Sequence, residues 1–134
     1  MEGNKMGRIR DLQSISPPQM ELFNILIQIF PDAELEYRIG GRKNKKGFNV
    51  RWADIGIPSL KLDFEYDGWG HKIITFEDKK RDEELLLQGW KTIRINKEKL
   101  SIIKLNIKNI RNKKEFLYFL DRVDKVDRGF HFVL

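Results

Sequence analysis

Apolar residues recur along the chain with two periods, and the changes of period divide it into elements. Met20, Phe23, Ile27 and Phe30 follow one another at three- and four-residue steps, with Leu22, Leu26 and Ile29 beside them, which predicts a helix with a wide buried stripe. Ser16 ahead of Pro17 and Pro18 suits an N-cap with prolines in the first turn, and Pro31-Asp32 ends the helix. Strands are predicted over 33–39, 48–57 and 60–67, with a glycine-bounded basic loop from Gly40 to Gly47 and a turn at Pro58-Ser59. The third strand alternates sharply: Leu62, Phe64 and Tyr66 point one way, while Lys61, Asp63, Glu65 and Asp67 point the other. Thr75-Phe76-Glu77-Asp78 has the form of a capping box opening a helix through Leu85-Leu86-Leu87, which Gly89 closes. A fourth strand, 90–95, and helices near 97–108 and 112–125 complete the pattern.

Helix, three strands, helix, strand and two helices predict an α/β (α+β) fold with one mixed sheet and helices on its faces. Residues 1–15 read as a flexible N-terminal arm and 16–134 as a single domain. The 134 residues suit one core, and the absence of cysteine removes disulfides, thiolate nucleophiles and cysteine-ligated zinc from consideration. No apolar run approaches the ~20 residues of a membrane span, so the expectation is a soluble cytoplasmic protein with no membrane partner. The net charge is +6, unevenly spread: residues 61–95 carry seven basic and eight acidic groups, whereas 96–134 carry ten and five. A basic surface around an acid-rich centre suits a polyanionic partner.

The acid-rich centre holds the candidate chemistry. If the turn spans Pro58 to Lys61, antiparallel pairing sets Asp54 opposite Glu65; a slip of two sets it opposite Asp63 on the same face. Either register brings carboxylates together, and at ~4.5 Å two of them repel by roughly 4 kcal/mol at an effective dielectric of 20. An oxygen-liking divalent cation such as Mg²⁺ relieves that repulsion. The plainer alternative is a solvent-exposed polar face on an amphipathic strand. Gly68-Trp69-Gly70-His71 follows at once, and its glycines let the chain turn tightly and deliver His71 beside the carboxylates.

The run from Asp54 through Asp63-Phe64-Glu65-Tyr66-Asp67-Gly68 to His71 resembles the core motif of the DUF559 and very-short-patch-repair endonuclease-like branch of the PD-(D/E)XK nuclease superfamily. Asp78, Arg81, Asp82, Leu85, Gly89-Trp90 and Arg94 resemble that branch's next segment, and Glu21 falls where relatives carry an acid ahead of the sheet. The resemblance covers about residues 16–95 and implies a restriction-endonuclease-like core and a Mg²⁺-dependent DNA endonuclease, with Mn²⁺ as a possible substitute. It implies that Asp54 and Glu65 hold the metal, that His71 orients or deprotonates water, and that Glu21 binds the ion through water or orients a ligand. Asp67 stands where the wider superfamily has a lysine. His71 is the first choice for that lysine's work and Lys61 the second; Asp67 itself either binds metal or caps the turn. A homing-type variant would use Glu21, Asp54, His71 and Asp78.

Asp78 and Arg81, three apart on a helix, are accessory candidates or a plain surface ion pair. Trp69 either stacks on a base or covers the core; Trp52 and Trp90 read as core. Arg38, Arg42, Lys43, Lys45, Lys46 and Arg51 lie between Glu36 and Asp54 with no acid among them, and would grip phosphates. The expected partner is DNA, bound by a monomer or homodimer. Two other classes remain: a non-catalytic nucleic-acid-binding domain retaining the nuclease fold, and a structural domain with no nucleic-acid partner.

Overall fold

Ser16 accepts a hydrogen bond from the Gln19 amide (3.3 Å) and starts helix α1, Pro17–Ile29, with both prolines in the first turn. The computed structural model describes residues 15–39, 51–68 and 75–127. After α1 come strands β1 (Glu34–Ile39), β2 (Arg51–Ile57) and β3 (Leu62–Gly68), helix α2 (Phe76–Leu87), strand β4 (Lys91–Asn96), helix α3 (Lys97–Asn106), a 3₁₀ turn (Ile107–Asn109) and helix α4 (Lys113–Asp127). The fold is mixed α/β, as the alternation of periods predicts. The arm over 1–14 and the basic loop lie outside the described residues, but Ile15, assigned to the arm from sequence, is buried in the core.

The sheet has the order β1-β2-β3-β4, antiparallel across the first two junctions and parallel between β3 and β4. The parallel pair requires a crossover, which α2 supplies. Its capping box is complete: Thr75 accepts from the Asp78 amide (3.1 Å), and Asp78 accepts from the Thr75 amide (3.2 Å). At the other end the Trp90 and Gly89 amides donate to the carbonyls of Leu85 (2.8 Å) and Leu86 (2.9 Å). That arrangement needs a left-handed residue, and Gly89 has φ +89°.

One core cluster joins Leu22, Leu26 and Phe30 of α1 to Ile55, Ile57, Leu62, Phe64, Ile93 and Ile95 of the sheet, to Leu100 and Ile103 of α3, and to Phe116 and Leu120 of α4. The Phe30 and Phe116 rings meet edge to face, centroids 5.8 Å apart. A second cluster gathers Ile39, Ala53, Leu85 and Trp90, with Tyr37 against it. Helices α1, α3 and α4 thus share one core with the sheet, and α2 packs in the other with the outer parts of β1 and β2.

Leu35 and Tyr37 are two apart on β1, so simple alternation would put them on one face. They belong to different clusters because Glu36 between them has φ +52°, which reverses the alternation. Tyr37 consequently lies over Gly56, and a Cβ added at Gly56 would come within 2.6 Å of the Tyr37 Cβ. Only a glycine fits there. Replacing Gly56 with alanine should destabilise the protein by about 1–3 kcal/mol, as overpacking of a filled site does. Urea unfolding measures this, and an unchanged midpoint would show that Tyr37 is not seated on the strand.

Candidate functional site

The backbone of the sheet is irregular where the acids are. Pairing of β1 with β2 runs Glu34↔Gly56, Leu35↔Ile55, then resumes at Tyr37↔Ala53, passing over Glu36 and Asp54. Pairing of β2 with β3 runs Ile57↔Leu62, Gly56↔Asp63, Ile55↔Phe64, and stops before Asp54. Asp54 is therefore absent from the ladders on both of its sides. Its carboxylate accepts the Tyr66 amide (2.8 Å), and its own carbonyl accepts the Gln19 side-chain amide (3.3 Å). On the far side of β3 the register with β4 shifts between Tyr66 and Gly68, leaving Asp67 as a bulge. Bulges and skipped pairs re-aim side chains, and they concentrate beside functional sites.

The turn agrees with the sequence-based register. The Lys61 amide donates to the Pro58 carbonyl (3.2 Å), and one further step beyond Ile55↔Phe64 sets Asp54 across from Glu65. The alternative slip toward Asp63 does not occur. Asp63 instead sits opposite Gly56 and Thr92, accepts from the Thr92 hydroxyl (3.1 Å), and is 0% exposed. A solvated polar face on β3 is thus corrected, since one of its acids is fully interior. Glu65 and Asp67 are partly buried.

Burial raises the Asp54 pKa from the usual 3.8 to about 6; the Tyr66 amide opposes the shift, while Glu36, Asp63 and Asp67 reinforce it. Across the site, Arg94 pairs in register with Glu65 and forks onto Asp82 of α2 (2.7 and 3.3 Å). Desolvation lowers the Arg94 pKa, but the Asp82 bond and the fields of Asp82, Asp67 and Glu65 leave it raised overall. Asp67 thus influences both Asp54 and Arg94, so the acids form a continuous field from β1 to α2.

Other candidates make contacts of their own or lie outside the described residues. Glu21 is half-exposed, pairs with Lys104 of α3 (3.1 Å), and lies close enough that burial and its charge together raise the Tyr66 pKa. Lys61 has φ +54° and donates from Nζ to the Gln88 carbonyl (3.3 Å) at the C-terminal end of α2, where its charge also suits the helix dipole. Asp78 completes the capping box, and Arg81 is exposed. Arg38 is exposed on β1 and Arg51 begins β2, while Trp90 is core and Trp52 partly buried. Arg42, Lys43, Lys45, Lys46, Trp69 and His71 lie outside the described residues. The residues that sequence reasoning missed are Gln19 and Glu36.

Comparison with protein-family models, with curated proteins and with solved structures found no match to this chain. Among the described residues no helix is long and apolar enough to cross a membrane, and no three histidine or acidic side chains are gathered closely enough to form a ready cation cage. Carboxylate oxygens are the donors a hard divalent cation takes, and the charges of Glu36, Asp63 and Asp67 all act on Asp54.

The sign of the Asp54 shift fixes a pH dependence. A carboxyl whose folded pKa is raised contributes stability that is complete below about pH 4 and is lost as the pH rises through about 6. Asparagine at position 54 keeps an acceptor for Tyr66 without the charge. Asp54→Asn should therefore be more stable than wild type at pH 7.5 by about 1–3 kcal/mol, and the gap should close toward pH 4. Urea unfolding across that range is the measurement; a gap independent of pH would mean Asp54 ionises normally.

Proposed function

We propose that the chain is a metal-dependent endonuclease that hydrolyses DNA phosphodiester bonds on a restriction-endonuclease-like core of the PD-(D/E)XK type. The observation that carries this reading is Asp54: withdrawn from both ladders, in register with Glu65, and under the charges of Glu36, Asp63 and Asp67. The Tyr66 amide satisfies one carboxylate oxygen of Asp54, and a cation would offset the repulsion among the acids around it.

In this reading Asp54 and Glu65 would hold Mg²⁺. The bound ion would supply positive charge to the scissile phosphate and lower the pKa of a coordinated water. Tyr66 fixes the Asp54 carboxylate through its amide, leaving the other oxygen for the ion. Arg94, locked by Asp82, balances Glu65 and Asp67 so that β3 tolerates its acids before the metal arrives. His71, four residues past Asp67 in the chain, is assigned to orient the attacking water or take its proton. Arg38, Arg42, Lys43, Lys45, Lys46 and Arg51 are assigned to the phosphates on either side, which makes affinity fall with salt.

Plasmid nicking tests the proposal. Wild type should convert supercoiled DNA to open circles with Mg²⁺ or Mn²⁺ and stay inactive in EDTA. Glu65→Ala and Asp54→Asn should each cut at least about a hundredfold more slowly, the scale on which loss of a charge-stabilising group is felt. Salt-sensitive binding without nicking on linear, mismatched or branched DNA would instead mark a nucleic-acid-binding domain that has lost catalysis. No binding even at low salt would reject both.

A further inference from the structure

Ser16-Pro17-Pro18-Gln19 has the spacing of a capping box, in which the glutamine side chain would normally turn back to the N-cap amide. Only half of that box is formed. Ser16 accepts from the Gln19 backbone amide, yet the Gln19 side chain leaves the helix and donates to Glu36 Oε2 (3.2 Å) and to the carbonyl of Asp54 (3.3 Å). By contrast, the box at the start of α2 closes on itself through Asp78. Gln19 is 8% exposed and Glu36 1%, so both polar groups have been taken out of water for this contact.

Glu36 is unusual in its backbone as well. A left-handed φ costs a residue with a Cβ, and it persists only where the surroundings impose it. It falls opposite Asp54 in the register, at the step where both residues drop out of the β1–β2 ladder. The Asp54 carbonyl freed by that break is the one Gln19 takes up. With its carbonyl tied to α1, Asp54 has its side chain turned toward β3, where the Tyr66 amide receives it.

We infer that Gln19 and Glu36 are positioning residues that hold Asp54 out of the sheet and aim its carboxylate across to β3. Neither is given a role in the chemistry. Glu36 orients the Gln19 amide, and Gln19 clamps the Asp54 backbone to the first turn of α1. The consequence for cation binding rests on the nuclease reading, whereas the positioning itself can be read without it.

The test uses the full chain, with Gln19→Met to keep the bulk and remove both hydrogen bonds, and Ser16→Ala as a control that weakens the same helix end without touching Asp54. The first readout is amide hydrogen exchange followed by NMR. In Gln19→Met the Tyr66 amide should exchange about tenfold faster relative to the other protected amides of β2 and β3, roughly the effect of one lost hydrogen bond. Ser16→Ala should produce no such selective change. The second readout is Mn²⁺ binding followed by water-proton relaxation, expected to weaken severalfold in Gln19→Met. Unchanged Tyr66 exchange, or equal acceleration of every β2 and β3 amide, would overturn the inference. Selective acceleration at Tyr66 in a protein whose wild type binds no Mn²⁺ would uphold the positioning and reject the nuclease reading.

Discussion

The bond from the Tyr66 amide to the Asp54 carboxylate is the interaction on which the site's architecture depends. In a regular sheet a backbone carbonyl would fill that place. Here a side chain fills it, and the strands can no longer pair beyond Ile55 and Phe64. The departures nearby are consistent with this one substitution: the ladder passes over Glu36 and Asp54, Glu36 turns left-handed, and Asp67 bulges on the other edge of β3. Each irregularity costs something on its own. Together they leave acidic side chains from β1, β2 and β3 in one electrostatic field.

The rest of the molecule is built to tolerate that field. The apolar cluster shared by α1, α3, α4 and the sheet holds the regular halves of β2 and β3, so the break is confined to one end. Fork-shaped pairing of Arg94 with Asp82 anchors a permanent positive charge to α2, beside Glu65 and Asp67. Tyr37 against Trp90 (5.6 Å between centroids) fills the face that the reversal at Glu36 exposes. Lys99 links the Arg94 carbonyl to Asp124 and so ties β4 to α4 just behind the site.

Much of this was legible in the sequence for local reasons. Hydrophobic period, proline placement and caps marked every described helix and strand to within a few residues, and the turn from Pro58 to Lys61 left two registers open, of which the structure takes the one that sets Asp54 across from Glu65. Glu36 was not legible. It alternates with Glu34 and Arg38 as any solvent-facing strand residue would, and its burial arises only when α1 folds across it. Asp63 misled for the same reason, because alternation assigns a face but not whether a neighbour covers it. One signal pointed the other way. Gly56 in mid-strand indicates a close approach, now explained by Tyr37. Lys61 was placed on the acidic face by alternation, but its left-handed backbone at the turn sends it to the end of α2.

The central claim is that Asp54 is held in a state that a divalent cation completes. Carbon-13 NMR of the Asp54 side-chain carboxyl, followed against pH with and without Mg²⁺, tests it most directly. The account predicts a titration near 6 without the cation, moved down by about one unit or more when Mg²⁺ is saturating, as an adjacent positive charge requires. A midpoint near the ordinary aspartate value, with no response to Mg²⁺, would contradict it.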